Sequence, residues 1–329
     1  MKIGYPATLM YYSHFPLWKS FLNSLGHEVV ISPKTSNNIL ESGIKDTVTD
    51  ACIPIKILHG HVSALIEKVD FILIPRMVSI VKYETFCPKF LGLPEMVQYS
   101  IENVPKILSP KVDLKYGFWQ IYKVLNSLGK ELGAAKKDIY KAIFTAMRTQ
   151  SKYENLLLSG FFPEDAIDII ERNKIPAKIG RNKVHETNSK SINLAVLGYP
   201  YQVYDSYITV NMLKNLKKMG VNIWTCEMVP YSEQKKYRKI LPKELFWYYS
   251  NAVMRCTYHY LKANKMGGIV HVTAFGCGPD AMLDKLMELE CKSHNIPYLN
   301  ITIDEHTGEA GILTRLEAFV DMLKIRRDL

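Results

Sequence analysis

One phrase occurs twice in this chain and constrains its fold more than any other feature. Ile3-Gly4-Tyr5-Pro6 returns as Leu197-Gly198-Tyr199-Pro200, and Gly26 after Leu25 returns as Gly220 after Met219. Both offsets are 194 residues, and proline and glycine stand 20 apart in each copy. Each copy reads as a short apolar strand, an amphipathic helix ended by glycine, and a second apolar strand over 28–32 or 221–226. Glycine ends helices because it enters the left-handed region without steric cost. Strand, helix and strand in this order form the βαβ unit of a parallel sheet. Unrelated βαβ units would share the periodicity but not Gly-Tyr-Pro, so the pattern reads as a duplicated α/β architecture.

Each copy continues in kind. Helix 51–66 and buried strand 71–75 follow in the first, and helix 245–264 and strand 268–273 in the second. A strand over 296–303 and a helix over 309–325 close the chain. Strands alternating with helices predict doubly wound parallel sheets. Between the copies the pattern is helical over 118–132, 138–158 and 163–173, and polar residues 182–191 read as a linker. The expected organisation is a first α/β domain over 1–104, a helical middle segment and linker over 105–190, and a second α/β domain over 191–329.

With 47 % hydrophobic and 22 % charged residues among 329, the chain is neither disordered, collagen-like nor a small disulfide-stapled fold. Its net charge of +10 is uneven: residues 105–190 hold 16 basic and nine acidic groups, while 1–104 are balanced. Such a surplus attracts phosphate-bearing partners such as coenzyme A or nucleotides, or it is a solvated helical face. No basic-aromatic or zinc-finger pattern points to nucleic acid. The longest uncharged run, the 16 residues 3–18, is too short and too broken by proline to span a bilayer. The first residues lack the features of a secretory signal. A cytoplasmic location is therefore expected, with the six cysteines as thiols or ligands.

Ligands of open α/β sheets sit beyond the carboxyl ends of the strands. Cys277 falls there, after the strand that leads into Thr273-Ala274-Phe275, and Cys87 follows strand 71–75 by a loop. Cys52 stands at the start of helix 51–66. Cys52 and Cys277 fall at expected helix N-termini, which favour thiolates, and Pro54 and Pro279 suit early helical positions. Gly276 and Gly278 flank Cys277 and give a bulky inorganic group access to the backbone. The three thiols are expected to meet in a cleft between the domains. Cys291 lies about 20 Å further along the Cys277 helix, Cys256 falls in an aromatic-rich helix as a core residue, and Cys226 fits core or cleft. Three thiolates fall short of a closed zinc site. They suit a [4Fe–4S] cluster with one iron left open. His59 and His61 are either a fourth ligand or hydrogen-bonding residues. Lys56 and Lys89 are either solvated or counter-charges for an anionic cluster.

Two further motifs admit alternatives. Gly276-Cys277-Gly278-Pro279-Asp280-Ala281 matches a dinucleotide-binding turn, with Asp304 near the position of a ribose-binding acid. It falls late in its domain, and Pro279 lacks an N–H for the pyrophosphate. No Walker A sequence occurs, so ATP hydrolysis by this chain is not expected. The run 304–311 places Glu305 and His306 at another strand end, either for acid–base work or as part of a helix cap.

The stretches Asp50-Ala51-Cys52-Ile53-Pro54-Ile55-Lys56, Phe86-Cys87-Pro88-Lys89, Phe275-Gly276-Cys277-Gly278-Pro279-Asp280 and Asp304-Glu305-His306-Thr307-Gly308-Glu309-Ala310-Gly311 resemble the acyl-CoA dehydratase activase-related proteins, relatives of the 2-hydroxyacyl-CoA dehydratase subunits. That resemblance implies two flavodoxin-like domains holding an iron–sulfur cluster on Cys52, Cys87 and Cys277. In the dehydratases a separate ATP-hydrolysing activator delivers one low-potential electron to the cluster. The electron passes to a 2-hydroxyacyl thioester, whose ketyl radical loses water. Some relatives carry a larger double-cubane cluster, which needs more cysteines than these three. The expected function is thus an iron–sulfur reductase or acyl-CoA dehydratase-like lyase. Its expected partners are the activator or another reductase, an acyl-CoA or other small molecule, and a homo- or heterodimer mate. Glu305 and His306 are the catalytic candidates. A non-catalytic electron carrier or assembly component using the same cluster is the first alternative, and a dinucleotide-binding oxidoreductase the second.

Overall fold

The computed structural model describes residues 1–172, 191–241, 243–263 and 265–328. It divides into two compact units, one of Met1–Tyr153 with Leu245–Tyr248 and one of Glu154–Glu244 with Tyr249–Leu329. Of the expected linker over 182–191, all but Ser191 lies outside the described residues. The helices expected as a middle segment are shared between the two units.

Unit one opens with β1 (Lys2–Tyr5), α1 (Tyr11–Ser24) and β2 (Glu28–Ile31). Gly26 ends α1 at φ +82°, and the His27 N–H returns to the Leu22 carbonyl at 3.1 Å. Next come α2 (Asn37–Lys45), α3 (Ile53–Ser63), β3 (Phe71–Leu73), β4 (Arg76–Ser79), α4 (Pro88–Ser100), β5 (Lys106–Leu108), β6 (Lys111–Asp113) and α5 (Gln120–Glu131), and α6 (Lys136–Leu158) runs across the unit boundary. The main sheet is parallel, in the order β2-β1-β3-β5. A short parallel pair, β4–β6, was not legible in the sequence. Phe15, Trp18, Phe21 and Leu22 of α1 are buried in the core with Ile3 and Ile72 of the sheet.

Unit two contains α7 (Pro163–Arg172), β7 (Ile192–Gly198), α8 (Pro200–Val203), α9 (Met212–Lys218), β8 (Val221–Trp224), α10 (Tyr231–Lys235), α11 (Tyr248–Ala263, from Tyr249 on), β9 (Gly268–Ala274), α12 (Gly278–Ser293), β10 (Tyr298–Ile303) and α13 (Glu309–Asp328). Its sheet is also parallel, in the order β10-β9-β7-β8. Numbered within its own unit, each main sheet has strand order 2-1-3-4, so the repeated phrase marks equivalent first strands. All seven residues of β9 are buried, as expected for a central parallel strand. The α/β class with parallel sheets is as expected from the alternation of strands and helices.

The copies differ in detail. Tyr5 pairs with Ile31 in unit one, whereas Ala195 pairs with Trp224 in unit two, a register longer by three residues. The stretch that forms the single helix α1 in the first copy is divided into α8 and α9 in the second. Asn211, which stands before α9, is left-handed at φ +53°.

Candidate functional site

The six cysteines separate into two groups of three. Cys226, Cys256 and Cys291 are buried, and Cys52, Cys87 and Cys277 are half-buried. Each half-buried cysteine is the N-cap of a helix: Cys52 of α3, Cys87 of α4 and Cys277 of α12. Each has extended backbone and a proline at the first or second helical position, and none caps its helix through its side chain. Stable helices favour Ser, Thr, Asp or Asn at this position. Cysteine there contributes little to the helix, but it sets a thiol against free N–H groups and the positive end of the helix dipole.

Cys52 and Cys87 belong to unit one. Burial pushes the Cys87 thiol up, the Phe90 and Lys89 N–H groups pull it down, and the neighbouring Cys52 raises it again. The two thiols therefore share one electrostatic neighbourhood. Two close fits in unit one position them. Helix α3 lies against α2 so closely that a Cβ on Gly60 would stand 1.8 Å from the Ile39 carbonyl oxygen. The chain before Cys87 is clamped by the returning segment of unit one: the Thr85 N–H donates to Phe246 O at 3.1 Å, and the Tyr248 N–H to Thr85 O at 2.8 Å. The Phe86 ring lies 5.3 Å from that of Tyr248.

His59 and His61 take the hydrogen-bonding role. His61 is fully buried, with Nδ1 2.7 Å from Ser32 Oγ and Nε2 3.0 Å from Thr35 Oγ1, and burial pushes it down to about 4. His59 is buried and lowered by desolvation, with Nδ1 2.8 Å from Ile55 O. Lys56 is buried, and Lys89 is half-buried beside Cys87.

Cys277 belongs to unit two, at the carboxyl end of β9 and next to that of β7, where the strand order reverses. Gly276 is left-handed at φ +71°, and a Cβ on Gly276 or Gly278 would meet nothing within 4 Å. Open space therefore flanks the thiol. Beneath the turn, Asp280 is fully buried, and its Oδ2 accepts from Gln202 Nε2 at 3.0 Å and from the Ala274 N–H at 3.4 Å.

The turn after β10 lies one strand over, and the Phe275 N–H donates to Ile303 O at 2.9 Å. There Asp304 Oδ1 accepts from the His306 N–H at 2.9 Å and the Thr307 hydroxyl at 2.8 Å. The polar run thus closes its own turn, and Asp304 is engaged there rather than offered to a ribose. Glu305 is half-buried and His306 exposed.

Two groups of residues in unit two carry chemistry that the sequence reading missed. After β8, the Tyr204 hydroxyl donates to Glu227 Oε2 at 2.5 Å and stands 2.7 Å from Thr225 Oγ1, and the Tyr260 hydroxyl donates to Thr225 O at 2.6 Å. Burial raises the Glu227 carboxyl, and the hydrogen bond from Tyr204 opposes that rise. The Cys256 thiol donates to Cys226 O at 3.7 Å, which settles Cys226 as core. Under β9, the buried His271 sits between Asp280 and Asp284. A histidine in an otherwise apolar central strand, followed by two acids four residues apart on the next helix, was the available signal. A pocket at the opposite, amino-terminal edge of the sheet, lined by Asn193, Lys265, Gly267, Pro297 and Arg326, holds no cysteine. Among the described residues no group of three or more His, Cys, Asp or Glu side chains is placed to hold a metal ion. No described helix is long and apolar enough to cross a membrane.

Parallel α/β sheets with half-buried cysteines at helix N-termini define the class of protein. The chain belongs to the family described as the CoA enzyme activase uncharacterised domain (DUF2229), which matches residues 2–229 and so includes Cys52 and Cys87. The 2-hydroxyglutaryl-CoA dehydratase D-component family matches residues 163–323, which include Cys277. No curated protein matches the chain. The relationship to the dehydratase subunits read from the four motifs is borne out.

Proposed function

We propose that this chain is an iron–sulfur protein of the 2-hydroxyacyl-CoA dehydratase group, with Cys52, Cys87 and Cys277 as cluster ligands. The observation that carries the reading is the separation of the six cysteines: the three half-buried ones all stand at the N-cap positions of helices with an early proline, and the other three are buried. The donor set fits the group. Thiolates suit iron–sulfur clusters, and three of them leave one iron of a [4Fe–4S] cluster for substrate. Neither histidine of α3 is free to complete the set, and the buried thiols leave too few ligands for a double-cubane cluster. The two main sheets, of like strand order, are read as flavodoxin-like and doubly wound.

When bound, the cluster supplies single electrons at low potential. The free N–H groups at three helix N-termini favour the negative charge of thiolate and sulfide. The glycines beside Cys277 leave room for a ligand, and Lys89 places positive charge beside Cys87. Glu305 and His306 follow β10, the strand beside the β9 that leads to Cys277, and offer acid–base groups for loss of water from a 2-hydroxyacyl thioester. The electrons come from an ATP-hydrolysing activator, the partner that the resemblance to the dehydratase subunits implies.

Anaerobic purification followed by iron, sulfide and visible-absorption measurements tests the reading. A brown protein with stoichiometric iron and sulfide is expected, and a colourless one that retains nicotinamide would replace it with a dinucleotide enzyme. Reduction by dithionite, or by an activator with ATP, followed by a screen of acyl thioesters tests turnover. A reducible cluster without turnover on any thioester would make the protein an electron carrier.

A further inference from the structure

Backbone hydrogen bonds hold the Cys277 turn, from the Cys277 N–H to Ala274 O at 3.2 Å and from the Phe275 N–H to Ile303 O at 2.9 Å, but few of its side chains pack. Phe275, Gly276 and Gly278 are exposed, and the flanking glycines carry no side chain to pack. The fully buried Asp280, three residues on, adds a side-chain anchor. Its Oδ2 is tied to the end of β9 through the Ala274 N–H and to the end of β7 through Gln202, whose Oε1 accepts from the Tyr199 N–H at 3.1 Å. Its Oδ1 lies 3.3 Å from His271 Nε2 as an ion pair, and neither of these two buried atoms makes a hydrogen bond. The other ring nitrogen, Nδ1, lies 2.9 Å from Asp284 Oδ1. Asp284 Oδ1 in turn accepts from the Tyr298 hydroxyl and from Asn300 Nδ2, both on β10.

Both nitrogens of a fully buried imidazole thus face carboxylate oxygens. Two carboxylates facing one buried imidazole favour its protonated form, which carries hydrogen on both nitrogens. A buried acid is stable as an anion only when it is paired. The chain Asn300–Asp284–His271–Asp280–Gln202 therefore crosses from β10 under β9 to the residues after β7, and it reaches the Cys277 turn through Asp280 and the Ala274 N–H.

We propose that His271 is a positioning residue for Cys277: an imidazolium held between Asp284 and Asp280 fixes the Asp280 carboxylate, and through it the geometry of the cysteine turn. It touches no substrate. This inference rests on the reading of Cys277 as a ligand for its functional meaning, but the geometry is testable on the metal-free chain.

The test is the rate of iodoacetamide labelling of each cysteine, resolved by peptide mass spectrometry, in the reduced metal-free full-length protein. Losing a buried hydrogen bond to a charged group shifts local opening by about tenfold. Asp280→Asn and His271→Gln are each expected to speed Cys277 labelling by about that factor, with Cys52 and Cys87 unchanged. The double variant should match the single ones rather than multiply them. Asp284→Asn removes a partly exposed carboxylate, keeps the fold if the buried variants do not, and should speed Cys277 labelling less. Nitrogen NMR of the imidazole adds a readout that simple destabilisation would not move: both His271 nitrogens protonated at neutral pH in the parent, and a neutral ring there in Asp284→Asn. Unchanged Cys277 labelling in a folded Asp280→Asn or Asp284→Asn protein, multiplying effects in the double variant, or a neutral His271 in the parent would overturn the proposal. If the labelling pattern holds in a protein that takes up no iron, the cluster reading fails and the positioning role stands. Full iron with unchanged labelling has the opposite meaning.

Discussion

Gly43 of α2 and Gly60 of α3 form a contact between helix backbones. A Cβ on Gly43 would lie 1.8 Å from the Lys56 carbonyl oxygen and 3.0 Å from the Gly60 nitrogen. The backbone oxygen cannot move aside as a flexible side chain would. Because α3 begins at Cys52, this contact also sets where that thiol stands.

Gly60→Ala should therefore cost about 3 kcal/mol or more, as backbone overpacking does. The denaturation midpoint in guanidinium checks it. Gly92→Ala in α4 is the control: its Cβ would meet nothing within 4 Å, and a gain of about 0.5–1 kcal/mol in helix propensity is expected.

The charges under β9 predict a pH dependence of stability. Burial alone would lower His271, but the hydrogen bond to Asp284 and the charges of Asp280 and Asp284 outweigh it and hold it up at about 9. Burial likewise raises Asp284, and hydrogen bonds from His271, Tyr298 and Asn300 overcome that, bringing it down to about 2. Protonated His271 stabilises the fold fully below its ordinary value of 6.5, and that contribution falls as pH rises through about 9. Ionised Asp284 contributes above 3.8 and loses its contribution as pH falls through about 2. Denaturant midpoints should thus decline between roughly pH 6.5 and 9, by about 3 kcal/mol at most. Asp284→Asn should shift that decline to lower pH.

The separation of the cysteines predicts an order of labelling. In the folded metal-free chain Cys52, Cys87 and Cys277 should react with maleimide or iodoacetamide, while Cys226, Cys256 and Cys291 stay protected until denaturant is added. Burial pushes Cys291 up to about 12, and hydrogen bonding to Cys256 together with burial raises Cys226. Peptide mass spectrometry reads all six thiols in one experiment.

Tyr204→Phe removes the hydroxyl that stands between Thr225 and Glu227. It should cost about 1–3 kcal/mol, the range for leaving buried polar groups without a partner. Urea denaturation of the variant measures it.

Much of this was legible in the sequence, for physical reasons. Gly26 and Gly220 ended their helices because few residues tolerate that backbone, and both have positive φ. Proline early in the helix placed Cys52 and Cys277 at helix starts, whereas the helix that follows Cys87 was not expected from the sequence. Helix bounds expected at 51–66 and 118–132 contract to Ile53–Ser63 and Gln120–Glu131 because apolar periodicity runs past the hydrogen-bonded turns. The division of α8 from α9, and the register that pairs Ala195 with Trp224, left no mark, since both depend on tertiary packing. The His271 chain stayed hidden because its members are scattered from Gln202 to Asn300 and meet only when β7, β9 and β10 lie side by side. Asp280 stood within a recognised motif, but only the fold shows that it is the buried anchor.

Iron and acid-labile sulfide per chain, measured on anaerobically purified parent and single Cys→Ala variants, test the central claim most directly. The account predicts a [4Fe–4S] complement in the parent, retained in Cys291→Ala and lost or sharply reduced in each of Cys52→Ala, Cys87→Ala and Cys277→Ala. Full iron in any one of those three variants, or none in the parent after reconstitution, would contradict it.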